Sequence, residues 1–397
     1  MIPKIRIGLL SLLMVSLSVG YVYGIDFHGK TSNTVYSYED TTQHTRLFQF
    51  IRFSLESPKL SNLSLNTSLR ALTDLNETLE DEQRFKAYAL NLQYKNLFNR
   101  VDLVLGRQFL HPGAALGGLD GLYTKVKISN RMNISAYAGA EAHFNSSLKI
   151  YKSEDSFVAG GLFEMNRFFS TGTQLFYLQK SNEDGLFWQL AGLNLTNSSL
   201  PRTNVRLQAH FDLQTSAFHR LMFSAKHDVN DKISLNAGFK NQMPQIYANS
   251  FFTLFDVDGY TQFNAGCTYK MVQNLFLSGQ YQLVQFDQES ANRIFFTVNN
   301  LNGSIGVIYE TGYAGEQLGL ILDYAHSITP ALLASINIDY SRYKTEKVFE
   351  YENQIANAVR LSYRFQRHWS IDLEYQWLTN RFKEQDSRIL NHVHFSW

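Results

Sequence analysis

The ten residues Arg388-Ile-Leu-Asn-His-Val-His-Phe-Ser-Trp397 decide how the rest of the sequence is read. Trp397, Phe395 and Val393 fall on one face of an extended segment, and Asn391 and Ile389 continue the row. Ser396, His394, His392 and Arg388 fall on the other face, which only Leu390 interrupts. This period of two predicts a strand with one apolar and one polar face. A large aromatic at the very end of such a strand fits poorly with an apolar face turned to water.

The same alternation recurs upstream. Leu63, Leu65, Leu69 and Ala71 oppose Ser64, Asn66, Ser68 and Arg70. Val205, Leu207, Ala209 and Phe211 oppose Arg206, Gln208, His210 and Asp212, and Ile233, Leu235, Ala237 and Phe239 oppose Ser234, Asn236, Gly238 and Lys240. Trp369, Ile371, Leu373, Tyr375 and Trp377 oppose Ser370, Asp372, Glu374 and Gln376. Amphipathic strands of about ten residues with aromatics at their ends suit a lipid face and a wet face.

The connections take turns. Short polar turns occur at SPKLSN, NLFNR, SNRM, MNRF, TNSSLPR, DVND, MVQN, NNLN, SITP and FQRH. Longer loops lie at 73–84, 108–121, 141–155, 241–258 and 343–353. Short turns on one rim and long loops on the other predict an all-β, transmembrane, antiparallel up-and-down barrel of about 20–22 strands. The lower number follows if Arg293 to Val298 is loop, because NNLN is then no turn.

The N-terminal region supports export. Lys4 and Arg6 precede the apolar run Ile7 to Gly20, and Val22-Tyr23-Gly24 offers a cleavage point. Residues 1–24 therefore read as a signal peptide and 25–397 as a single barrel domain. No segment before the first strand has the look of a plug domain, which argues against an active transporter of the usual build. Formal charge is +1, so nothing suggests a nucleic-acid partner. Proline is rare, with six residues in 397, as a chain built of ladders requires. Cys267 is the only cysteine, so no internal disulfide braces the chain.

An aromatic last residue, with apolar residues third and fifth from the end, resembles bacterial outer-membrane β-barrels. The resemblance implies that Val393, Phe395 and Trp397 form the signal read by the barrel-assembly machinery, in a Gram-negative-type outer membrane. Val101 to Lys127 is similar to a hairpin of porin-like and alginate-export-like barrels, through Leu105-Gly-Arg-Gln108, a glycine-rich loop and Asp120-Gly121. Gly113, Gly117, Gly118 and Gly121 allow that loop to fold back into the lumen. Arg107 and Asp120 flank it as candidate constriction residues that can pair with each other or with lumen charges, either fixing the loop or selecting solutes. The apolar loop 241–259 either extends a strand at the interface or tucks inward as a partial plug.

Catalytic, metal and cofactor signals are weak. Gly24 to Thr31 matches the phosphate-cradling pattern G-x-x-x-x-G-K-[ST], but a signal peptide precedes it and a strand follows, so the match is one of chance. The eleven histidines show no metal-ligand spacing, and His392 and His394 read as lumen polar residues. No enzyme and no cofactor is implied. With the apolar face outward, Arg52, Arg70, Lys125, Arg206, Lys240 and Arg360 point inward, joined by Lys127, Arg220, Lys226 and Arg364. Glu164, Asp212, Asp323, Asp339, Asp372 and Glu374 stand against them. A modest basic excess predicts a weak preference for anions if the lumen is open. The expected function is a porin-like channel for passive diffusion of small hydrophilic solutes. The alternative is a non-conducting scaffold barrel whose loops bind a partner or polysaccharide.

Overall fold

A computed structural model describes residues 26–397 except 58–59, 80–83, 112, 114–116, 143–145, 153, 244–258, 288, 314 and 346–349. The expected signal peptide lies outside the described residues. The strands begin with β1 Asp26–Glu39, β2 Gln43–Ser57, β3 Leu60–Asp74, β4 Phe85–Leu97, β5 Val101–Leu110 and β6 Gly117–Ser129. They continue with β7 Met132–Glu141, β8 Ser156–Phe168, β9 Thr171–Asn182, β10 Gly185–Asn197, β11 Thr203–Asp212 and β12 Ala217–Asp228. Next come β13 Ile233–Gln242, β14 Tyr260–Val272, β15 Leu275–Gln285, β16 Ser290–Asn299 and β17 Gly303–Gly312. The last five are β18 Gly315–Thr329, β19 Leu332–Lys344, β20 Glu352–Gln366, β21 Trp369–Asn380 and β22 Lys383–Ser396.

These 22 strands form one antiparallel sheet in which each strand pairs with its neighbours in sequence. β22 also pairs with β1, Ser396 opposite Lys30 and Ile389 opposite Ser37, so the sheet closes. Closure leaves no edge, which lets every strand amide find a partner without water. The upper of the two expected counts holds: Arg293 to Val298 lies inside β16 and pairs on both sides, so NNLN is a turn and the strands number 22. All ten short polar turns fall on one rim. Gly29 to Thr31 lies within β1 with no helix after it, so the phosphate-cradle pattern has no structural counterpart.

Register fixes the faces. The row of Trp397, Phe395, Leu373, Ile371, Leu361, Leu320, Val307, Phe296, Leu235, Phe223, Leu175, Leu122 and Leu105 looks outward. Phe296 is 62% exposed, Leu105 58% and Leu175 48%. An apolar band circling the whole barrel is too large for a water-facing surface and has the character of a lipid face.

At the short-turn rim this band ends in a chain of rings. Tyr363, Phe365, Trp369, Phe395, Trp397, Phe27 and Phe53 follow one another at centroid separations of 4.4–6.1 Å, crossing β20, β21, β22, β1 and β2. Trp397 locks the seam through its backbone: its N–H donates to Gly29 O at 3.0 Å and its O accepts from Gly29 N–H at 3.3 Å. A Cβ on Gly29 would lie 2.5 Å from the Trp397 ring and 2.8 Å from the Arg52 carbonyl oxygen. Gly29→Val is therefore expected to cost about 1–3 kcal/mol by overpacking. The check is the temperature at which the folded barrel loses its compact mobility on a denaturing gel, which should fall.

Candidate lumen and constriction

Three glycines in register interrupt the wall. Gly106 of β5 stands opposite Gly121 of β6, which stands opposite Gly139 of β7. Gly106 has φ +112°, and a Cβ there would lie 2.5 Å from the Leu90 carbonyl oxygen. At Gly121 it would lie 2.2 Å from the Ala138 carbonyl oxygen. Only glycine permits this close approach, and the row acts as a crease. Beyond the crease Gln108 to Leu110 pairs with β6 but no longer with β4.

The hairpin end bends inward there. Leu110 and Leu119 are buried in a cluster with Tyr137, Val158, Leu162, Phe176, Leu178 and Leu190. The last six occupy the lumen rows of β7 to β10. A Cβ on Gly113 at the hairpin tip would lie 2.4 Å from the Phe176 ring, and one on Gly192 would lie 2.2 Å from it. Phe176 also meets the buried His210 ring edge-on at 4.8 Å. The expected loop at 108–121 is thus shorter, because β5 continues to Leu110 and β6 starts at Gly117. Burial of this apolar cluster holds it over one side of the lumen.

Of the two alternatives for Arg107 and Asp120 the structure has the pair with each other, in rows that do not line the lumen. Arg107 pairs in register with Leu90 and Asp120 with Ala140, both in outward rows. Both side chains are only 6% exposed, and they form a two-point pair, Nε–Oδ1 at 2.7 Å and Nη2–Oδ2 at 2.6 Å. Arg107 also donates to the carbonyl oxygens of Ser147, Lys149 (3.0 Å) and Ala87 (3.3 Å). The Ala87 N–H meanwhile donates to Ser146 O at 2.7 Å. The β7–β8 connection therefore occupies the place beside β4 that the bent hairpin vacates, and Arg107 binds connection and hairpin together.

The remaining inward candidates differ in their partners. Lys125 pairs with Glu164 at 2.9 Å. Arg360 donates to Glu374 from Nε at 2.6 Å. Lys240 lies over the Tyr260 ring and donates to its hydroxyl at 2.5 Å. Arg70 lies over the Phe48 ring, 5.5 Å from its centroid. Among the described residues, Arg52, Arg70, Arg206 and Arg220 have no carboxylate partner, and Asp339 has no cationic one. These four cations sit on β2 and β3 and, about half a turn of the barrel away, on β11 and β12.

The lumen wall is less uniformly polar than alternation suggested. Tyr36 stacks on Tyr38 at 4.8 Å, Tyr38 stacks on His44 at 4.9 Å, and Arg46 lies over Tyr38. Arg388 donates to the Tyr36 hydroxyl at 3.1 Å. These residues, with Phe48 and Phe50, form an aromatic and cationic track across β22, β1 and β2, and Arg46 was not among the expected inward cations. At its rim end the Thr42 amide holds the Asp40 carboxyl below the usual carboxylate range. His392 accepts or shares a proton with Thr34 Oγ1 at 2.8 Å, and His394 contacts Asp372 at 3.1 Å. Among the described residues no group of three His, Cys, Asp or Glu side chains is placed to hold a metal. Most of loop 241–259 lies outside the described residues.

No protein-family model matches the sequence, and no curated protein matches it. Solved structures do match in shape. The ferric enterobactin receptor PfeA of Pseudomonas aeruginosa, as a mutant, is 9% identical with a TM-score of 0.62, over 94% of this chain and 80% of that one. The P pilus usher PapC translocation pore is 7% identical with a TM-score of 0.52, over 94% and 99%. OpdL of Pseudomonas aeruginosa is 10% identical with a TM-score of 0.47, over 94% and 98%. At such identities the likeness is one of fold.

Proposed function

We propose that this chain is an outer-membrane diffusion channel for small hydrophilic solutes, with a weak preference for anions. The observation that supports it most is the one-sided filling of the lumen. A wall of 22 strands encloses a space about 40 Å across between backbones. Among the described residues, the inward hairpin covers only β7 to β10. Elsewhere the lumen rows carry small and polar side chains, such as Ser224, Gly238, Asn264, Gly266, Thr297, Gly306 and Ser341. The lipid face and closed ladder favour a membrane span, and the long-loop rim would face the cell exterior.

The anion preference rests on the cations that lack carboxylate partners, because paired charges largely cancel at a distance. In a potassium chloride gradient across a planar bilayer, the reversal potential is expected to favour chloride weakly. Replacing Arg206 and Arg220 together by Gln should shift it toward potassium. A cation preference in the unaltered protein would reject this part of the proposal.

A further inference from the structure

The lumen face carries a recess of about 460 Å³ at the short-turn rim, where β1 meets β22. Lys30, Arg52, Arg364 and Arg367 line it, together with His368 and His394. No carboxylate does so, and Asp372, the one acid bonded to a lining residue, is engaged by His394. Lys30 and Arg52 stand directly opposite each other on β1 and β2. Like charges in that position destabilise a sheet. Among the described residues, none of the four cationic side chains has an ion pair or hydrogen bond.

Hydroxyls complete the donor set. Ser396 lies opposite Lys30, Ser68 opposite Arg52, and Ser32 opposite His394. Cations and hydroxyls converging without acids match the chemistry of an oxyanion, which accepts from several donors at once. The volume suits a small ligand. A single negative charge would leave most of the four cations uncompensated, so a doubly charged anion fits better than a monocarboxylate.

We infer that this recess is a binding site for a tetrahedral dianion of the phosphate class, held between β1–β2 and the β20–β21 turn across the seam of the barrel. The site is independent of whether the barrel conducts. Its ligand would join the first two strands to the last three, so occupancy should also brace closure.

The test uses the full barrel purified in detergent, with inorganic phosphate as the probe and chloride at matched ionic strength as the reference. Calorimetry should give saturable binding, and phosphate should raise the unfolding temperature more than chloride does. The double change Lys30→Gln with Arg52→Gln should weaken binding by about tenfold or more, as expected for loss of charge-assisted bonds. Lys232→Gln, a cation on the same rim but outside the recess, should leave it unchanged. If the double variant does not fold, Arg364→Gln with Arg367→Gln provides the same comparison from the other side. Equal heats in wild type and recess variants would overturn the inference. So would a phosphate response no larger than that of chloride, or an acetate response equal to that of phosphate.

Discussion

Arg107→Ala is expected to release the β7–β8 connection and loosen the inward hairpin while the barrel itself stays closed. Removing one partner of a buried ion pair costs about 3–5 kcal/mol, because the other charge stays buried without compensation. Here Asp120 would be stranded, and the carbonyl oxygens of Ser147 and Lys149 would lose their donor. The loss is local, since the ladders of the other strands do not depend on it. Limited proteolysis of the folded barrel should then cut within 142–155 much faster than in the unaltered protein, with no change in heat-resistant mobility. Asp120→Asn should act in the same direction but less, since the amide still accepts one bond. An unchanged digestion pattern in both variants would show that the pair does not hold the connection.

Removal of Trp397 is expected to damage assembly more than any change within the lumen. The residue contributes ring contacts to Phe27 and Phe395 and both terminal hydrogen bonds of the β1–β22 seam. These contacts and both hydrogen bonds are lost at the point where the sheet must close. The folded fraction in membranes should drop sharply, whereas the molecules that do insert should behave normally, because Trp397 faces away from the lumen. Full assembly without Trp397 would count against its role as the closing anchor.

Alternation and turn chemistry were sufficient to read the barrel. The polar turns are local signals, and each marks a reversal on the same rim. Arg293 to Val298 was ambiguous because Phe295 and Phe296 put an aromatic on both faces, which blurs the period of two. The same blurring hides the constriction. In Gln174 to Lys180, Leu175, Phe176, Tyr177 and Leu178 are apolar on both faces, and this marks a stretch whose lumen side is covered. The covering hairpin could not be placed, because the register that aligns Gly106, Gly121 and Gly139 is a property of three paired strands. The two roles open to Arg107 could not be separated for the same reason. Its charge allowed a solute-selecting role, but its row and its burial under the β7–β8 connection place it on the outer side of the bent hairpin. The basic recess was equally illegible, since Lys30, Arg52 and Arg364 meet only when β22 returns to β1.

Conductance across a planar bilayer tests the central claim most directly. A wall of this strand number often houses a plug in outer-membrane transporters, so an open passage is a demanding expectation. Purified protein added to one chamber should give discrete, uniform current steps, and chloride should carry slightly more of the current than potassium. Persistent silence from correctly folded, membrane-inserted protein would contradict the channel and leave a barrel that only presents its loops.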